Sequence, residues 1–328
     1  MDFVNLGRSG LKVSRACLGA MNFGVSHTAP WCDEKTASAI IDAFLGAGNN
    51  FIDTANNYTA GQSEEIVGRA VKGRRDTVVI ATKARAPQGP GPNDRGLSRL
   101  HLTNALEASL RRLNIDHIDL YQMHSFDSET PLEETMATLA GFVRAGKVRY
   151  VGCSNFTGSQ IVEAQWAAEK VGGIPLISLQ PRYSLISREI EADVLPAAQR
   201  HGLGVMTYSP LAFGILSGKY YPRQTPEPDT RYGGVMGLRG NAHMAGLATL
   251  ALSDRNLAIA DAVRVAAQEI GANSSAVATA WVAGRRGVTS VIVGPRTLDQ
   301  LRHYLAAFEL ELPPELNKRL SDASRPTP

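Results

Sequence analysis

Eight short apolar runs, spaced roughly 30 residues apart and separated by amphipathic stretches, narrow what this chain can become more than any other feature. They are Ala16–Leu18, Asn50–Asp53, Val78–Ala81, Ile118–Tyr121, Tyr150–Cys153, Leu176–Leu179, Gly204–Thr207 and Ser290–Val293. Each is brief and rich in Val, Ile, Leu or Tyr, as befits a parallel strand covered on both faces. The stretches between them carry helical spacing. Asp33–Leu45 repeats apolar residues at Ala37, Ile40, Ile41 and Phe44 and ends at Gly46 and Gly48. Thr103–Leu113 stripes Leu106, Leu110 and Leu113, and Pro131–Ala145 opens on proline and stops at Gly146. Ile190–His201 and Asn256–Ile270 read the same way. Eight strands alternating with helices predict an α/β fold, a (β/α)8 TIM barrel. Val4–Val13, centred on Arg8-Ser9-Gly10, predicts an N-terminal β-hairpin ahead of it. Residues 209–253 break the rhythm with Pro210, Pro222, Pro226, Pro228 and several glycines, which predicts a long loop after strand 7, over the C-terminal face. No linker or repeat interrupts the pattern, so residues 1–328 read as one barrel domain.

With 44% hydrophobic and 20% charged residues, the composition is that of a globular chain. A net charge of +3, spread along the chain, gives no reason to expect nucleic acid or an anionic membrane as partner. The longest uncharged apolar stretch, Leu203–Gly218, contains Pro210 and glycines and falls short of a membrane span. Met1–Asn5 has no basic-then-apolar run, and Cys17, Cys32 and Cys153 are an odd set without CxxC. The expectation is a cytoplasmic protein with reduced thiols. The seven histidines show neither HExxH nor paired-ligand spacing, so no metal is expected.

In such barrels the reacting groups sit where strands end. Read in order, the strand ends deliver Asp53, Lys83, His124, Ser154-Asn155, Gln180, Tyr208-Ser209, and Gly294 with Arg296 behind it. A single polar strand end carries little meaning, since a lone Lys is usually a solvated charge and a lone Asp can cap a helix. Seven at one rim, with Tyr58 five residues past Asp53, mean more. A phenol titrates near 10, and a neighbouring ammonium favours its phenolate and lowers that value. A carboxylate keeps the ammonium charged and in place, and an imidazole can hold a carbonyl oxygen. The set suits proton transfer to an oxygen that becomes negative as its carbon is attacked. No side chain carries a hydride, so a cofactor is implied.

These residues resemble the aldo-keto reductases, nearly end to end. The matching blocks are Leu6–Ser14; Phe51-Ile52-Asp53-Thr54-Ala55-Asn56-Asn57-Tyr58 with Ser63–Gly68; Ala81-Thr82-Lys83; Asp116–His124; Gly152–Phe156; and Tyr208-Ser209-Pro210-Leu211. The resemblance implies Tyr58 as general acid, tuned by Lys83 and Asp53, with His124 orienting a carbonyl. It implies Ser154, Asn155 and Gln180 at a nicotinamide carboxamide and Tyr208 against the ring. Ser209, Leu211, Gly214 and Lys219 fall along the pyrophosphate, and Gly294, Arg296 and Gln300 around an adenosine phosphate. A guanidinium there favours NADPH over NADH. Tyr304 stands where relatives often carry Asn, and Tyr220–Leu252 matches the family poorly. The Tyr-Ser-Pro-Leu block and Val293–Thr297 resemble the bacterial branch related to potassium-channel β subunits, which includes reductases of antibiotic and deoxysugar biosynthesis.

The expectation is an NADPH-dependent ketoreductase acting on a small-molecule carbonyl, with a homo-oligomer allowed. Met21, Phe23, Trp31 and Phe126 are the candidate substrate residues, alongside Tyr58 and the long loop. Other readings stay open: an NADPH-binding regulatory subunit with little turnover, an enone reductase of a nucleotide-sugar pathway, or a Schiff-base aldolase using Lys83. Gly214–Lys219 fails the P-loop pattern, and Gly19–Gly24 is not a dinucleotide fingerprint.

Overall fold

A computed structural model describes residues 3–25, 31–221, 224, 226, 227, 230, 232 and 251–326. The hairpin is β1 (Phe3–Asn5) paired antiparallel with β2 (Lys12–Ser14). Eight parallel strands follow: β3 (Ala16–Gly19), β4 (Phe51–Asp53), β5 (Val79–Ala84), β6 (Ile118–Met123), β7 (Val148–Ser154), β8 (Ser178–Gln180), β9 (Gly204–Thr207) and β10 (Val288–Val293). They close into a barrel in chain order, β10 pairing with both β9 and β3. All eight apolar runs lie in these strands or overlap their ends.

The helices form the outer layer: α1 (Glu34–Gly46), α2 (Gln62–Ala70), α3 (Arg99–Leu113), α4 (Leu132–Arg144), α5 (Gly158–Lys170), α6 (Val194–Arg200), α7 (Asp254–Glu269), α8 (Ser274–Ala283), α9 (Leu298–Leu305) and α10 (Pro314–Ala323). Local chemistry sets their starts. The side chains of Asp33, Ser98, Ser253, Asn273 and Thr297 each accept a first-turn backbone N–H, and Thr157 with Gln160 makes a full capping box. The Ser98 cap starts α3 four residues before the expected Thr103. The expected Ile190–His201 helix is shorter, with a 3₁₀ turn at Glu189–Glu191 preceding α6.

Strand alternation sorts side chains between two cores. Leu18, Ile52, Ile80, Tyr121, Val151 and Leu179 point outward into the helix layer. Cys17, Phe51, Ala81, Leu120, Met206 and Ile292 point inward, joined from below by Leu6 and Val13 of the hairpin segment. The hairpin therefore closes the N-terminal end of the barrel. Gly7 makes this possible: its φ is +62°, and a Cβ there would lie 2.5 Å from Gly204 N and Ile177 O. With that end shut, the interior opens only toward the strand C-termini. Much of Tyr220–Leu252, within the expected long loop, lies outside the described residues. Among those described, no helix is long and apolar enough to cross a membrane.

Candidate active site

One pleat above the apolar interior, the same strands turn polar. Asp53 ends β4, Lys83 lies across from Gln122 in the β5–β6 register, and Gln180 ends β8 opposite Ser154. Lys83 Nζ donates to Asp53 Oδ2 at 2.7 Å and to the Thr54 carbonyl at 2.7 Å, and the lysine is 0% exposed. Thr54 is fixed in turn by Ser63 of α2, whose hydroxyl lies 2.8 Å from Thr54 Oγ1 and 2.7 Å from the Ala20 carbonyl. Buried Glu64 accepts from Thr82 Oγ1 (2.6 Å) and Arg112 Nε (2.7 Å), binding α2 to β5 and α3. The Ser-Glu pair after Tyr58 thus locks the strand that carries Lys83.

Tyr58 begins a tight turn in which Thr59 and Ala60 take left-handed φ values of 47° and 55° before Gly61 at 94°. That turn brings the phenol back over the barrel. Its ring centroid is 5.0 Å from Lys83 Nζ and 5.8 Å from the His124 ring. Burial raises the Tyr58 phenol above its ordinary value of 10.0; the hydrogen-bonded Lys83 ammonium pulls the other way, and the net direction is upward. The sequence-based expectation of a net lowering is therefore corrected: desolvation outweighs the ammonium here. Burial also opposes charge on Lys83, but Asp53 and Tyr58 outweigh it and hold the ammonium above its ordinary value. His124 is pushed down to about 3, by burial and then by Lys83 and Arg85. Its Nδ1 is buried without a partner. An orphan acceptor costs less than an orphan donor, which favours the neutral tautomer carrying its proton on Nε2.

Beside the tetrad, Tyr208 Oη donates to Asn155 Oδ1 (2.9 Å), and Asn155 Nδ2 donates to the His124 carbonyl and to Ser154 Oγ (both 3.0 Å). Ser154 Oγ donates to the Gln180 carbonyl at 2.8 Å. Asn155 and Ser209 both sit at φ 57°, turning their loops over the strand ends.

These residues line one cavity of about 580 Å³, running from Asp53, Tyr58 and His124 to Arg296, His303 and Tyr304. Its size lies within the range of small-molecule and cofactor sites. Ser154, Asn155, Gln180, Tyr208, Ser209, Leu211, Gly214, Lys219, Gly294, Arg296 and Gln300 all line it. Lys83 stands behind the wall. Gln300 plays an internal part as well: its Oε1 accepts from Arg296 N at 2.8 Å, shaping the loop that presents the guanidinium. A long cavity with amides and a hydroxyl at one end, and Lys219 and Arg296 toward the other, fits a dinucleotide carrying phosphates.

The substrate residues fare less well. Met21 lines the cavity, whereas Phe23, Trp31 and Phe126 do not. Phe23 is 0% exposed within the main core, and Phe126 packs edge-on against Phe156 at 5.5 Å. An aromatic near a strand end has two faces to choose from, and the core took these. Lining residues not anticipated include Asn22 and Asn57, and Asn273 and Ser275 at the start of α8, while Phe213 and Ser217 belong to the long loop expected there. Asn273-Ser274-Ser275 before an apolar run is a legible helix start and was the available signal.

A sequence profile of the aldo/keto reductase family matches residues 15–325. An uncharacterized oxidoreductase, YrpG, of Bacillus subtilis (strain 168) is 42% identical over 98% of this chain and 95% of its own length. A probable voltage-gated potassium channel subunit beta of Oryza sativa subsp. japonica is 37% identical over 94% of this chain and 92% of its own. The versiconal hemiacetal acetate reductase of Aspergillus parasiticus is 33% identical over 96% and 94%.

Proposed function

The chain belongs to the aldo/keto reductase family, and from that premise we propose that this oxidoreductase is an NADPH-dependent ketoreductase of a single barrel domain, with Tyr58 as its general acid. The observation that carries the reading is the convergence of Tyr58, Lys83, Asp53 and His124, with Lys83 5.0 Å from the Tyr58 ring and 2.7 Å from Asp53. When bound, a nicotinamide supplies the hydride. Tyr58 gives its proton to the carbonyl oxygen as charge develops there, and the raised phenol value keeps that proton in place at neutral pH. Lys83, charged and buried, stabilises the phenolate left behind. Asp53 holds Lys83, and neutral His124 donates from Nε2 to the same carbonyl oxygen.

Ser154, Asn155 and Gln180 would hold the carboxamide, Tyr208 would pack on the ring, and Ser209, Leu211, Gly214 and Lys219 would follow the pyrophosphate. Arg296 would pair with a 2′-phosphate, favouring NADPH. The carbonyl substrate is a medium or bulky organic molecule, facing Met21 and Phe213. Secondary metabolism suits this reading, since one relative is named a versiconal hemiacetal acetate reductase. So does a reducing cytoplasm, since all three cysteines are free and buried. The channel-subunit relative supports a second reading, a cofactor-binding regulatory protein. Fluorescence titration with NADPH and NADH, then a carbonyl panel followed by nicotinamide absorbance, separates the two. Tight NADPH binding without turnover on any carbonyl would favour the regulator; failure to bind either nucleotide would sink both.

A further inference from the structure

Gln122 stands on β6 within Leu120-Tyr121-Gln122-Met123, a run otherwise apolar, and it is 0% exposed. Leu120, two residues earlier, faces the same interior, so this strand readily takes an aliphatic side chain there. Burying an amide costs free energy unless its hydrogen bonds are made. Gln122 makes them with the tetrad: its Nε2 donates to Asp53 Oδ1 at 3.2 Å. Gln180 Nε2 donates to the same oxygen at 3.0 Å and approaches Gln122 Oε1 at 3.5 Å. A carboxylate only accepts, so the amide N–H groups must face it, and the orientations follow from the chemistry. Gly152 of β7 leaves the room, since a Cβ there would meet Gln122 Cγ at 3.4 Å and Ser178 Oγ at 2.2 Å. The two amides differ in one respect. Gln180 also lines the cavity; Gln122 does not.

We propose that Gln122 is a positioning residue that holds the Asp53 carboxylate in line with Lys83 independently of Gln180, so that Tyr58 keeps its alignment while Gln180 engages the nicotinamide end. This rests on Tyr58 being the general acid. The titratable groups around this layer are Asp53, Tyr58, Lys83, His124, Tyr208 and Cys17.

The test compares Gln122→Met and Gln122→Glu, with folding checked by circular dichroism across pH and NADPH affinity by fluorescence. Gln122→Met is expected to lower kcat roughly tenfold, the size of a lost charge-assisted hydrogen bond, and to leave NADPH affinity unchanged. Its alkaline limb moves upward, because more of the Asp53 charge is felt at Tyr58. In Gln122→Glu the protonated carboxyl can still donate, so kcat recovers at acid pH and is lost as pH rises and two carboxylates face each other. A packing role would depress kcat equally at every pH and would overturn the proposal. So would wild-type profiles in both variants, or a loss of NADPH binding parallel to kcat. If Gln122→Met fails to fold, the Gln122→Glu profile decides. Tyr58→Phe is measured alongside: if it keeps turnover, the general-acid reading itself falls. If it loses turnover while the Gln122 variants behave as wild type, only the present proposal falls.

Discussion

At the strand-end side of the cavity, Asp53, Lys83, Gln122 and Gln180 stand on barrel strands and are at most 3% exposed. At the far side, Arg296, Asp299 and His303 stand on the loop after β10 and on α9, and the side chains of Asp299 and His303 are 70% and 46% exposed. The contrast is one of dielectric as much as rigidity. Above an apolar floor of Leu120, Met206 and Ile292, the 2.7 Å Lys83–Asp53 pair is shielded from water, so each charge strongly sets its neighbours' protonation. The 3.9 Å Arg302–Asp299 pair on α9 is screened and contributes at most about 1 kcal/mol. Chemistry that depends on a tuned phenol belongs at the first end. Affinity assembled from many modest contacts belongs at the second.

The largest expected effect breaks the strand-end side. Tyr58→Phe removes the proton donor and is expected to lower turnover about a thousandfold while NADPH binding stays near wild type. Stopped-flow hydride transfer with fluorescence titration checks both. In the unmodified protein the pH dependence has a definite sign. The Tyr58 value is raised, so the phenol is protonated at neutral pH, and reduction falls only as pH climbs through that raised value. Turnover that falls between pH 5 and 8 with a slope set by Tyr58 would contradict the burial argument.

Lys83→Met comes next. It leaves Asp53 buried beside two amides without its cation, and breaking such a pair costs about 3–5 kcal/mol. Thermal or urea unfolding should show that loss. Arg302→Ala, the matching change on α9, should stay within about 0.5 kcal/mol. Equal losses at both sites would erase the contrast between the ends.

The same contrast explains what the sequence disclosed. Strand ends are fixed by the barrel, so Asp53, His124 and Gln180 could be placed at one rim from eight apolar runs alone. Tyr58 could be set near the same rim only by its five-residue distance from Asp53; the tight left-handed turn through Thr59, Ala60 and Gly61 that returns its ring over Lys83 was not legible. Gln122 went unnoticed although a lone amide inside an apolar run was its signal. Phe23 and Phe126 misled because aromatic character does not say which face of a rim is core. The far end was harder still: Asn273-Ser274-Ser275 is legible as a helix start, but only the packing of α8 brings Asn273 and Ser275 to the cavity. The direction of the Tyr58 shift is likewise a competition between burial and charge that only the assembled site decides.

Arg296→Ala sharpens the far side. Loss of a guanidinium that pairs with a 2′-phosphate should weaken NADPH by about tenfold or more and NADH hardly at all, as expected for a charge-assisted contact. Raised salt should shrink the difference, because this end is open to solvent. Equal losses for both nucleotides would place the 2′-phosphate elsewhere and leave Arg296 as a loop anchor.

The smallest expected effect is a flat line. His124 is held at about 3 by burial and by the charges of Lys83 and Arg85. It therefore stays neutral from pH 5 to 8, and the KM for the carbonyl should not vary with its titration there. An imidazole in open water would charge near 6.5 and would change its hydrogen-bonding pattern inside that window. Steady-state KM across the range, with His124→Gln as the donor that cannot titrate, tests the point directly. The two should run parallel. A rise in KM below about pH 6.5 in the wild type alone would mean that water reaches His124 freely. The strand-end side would then be no better shielded than the far one, and the low-dielectric account of Tyr58 and Lys83 would lose its footing.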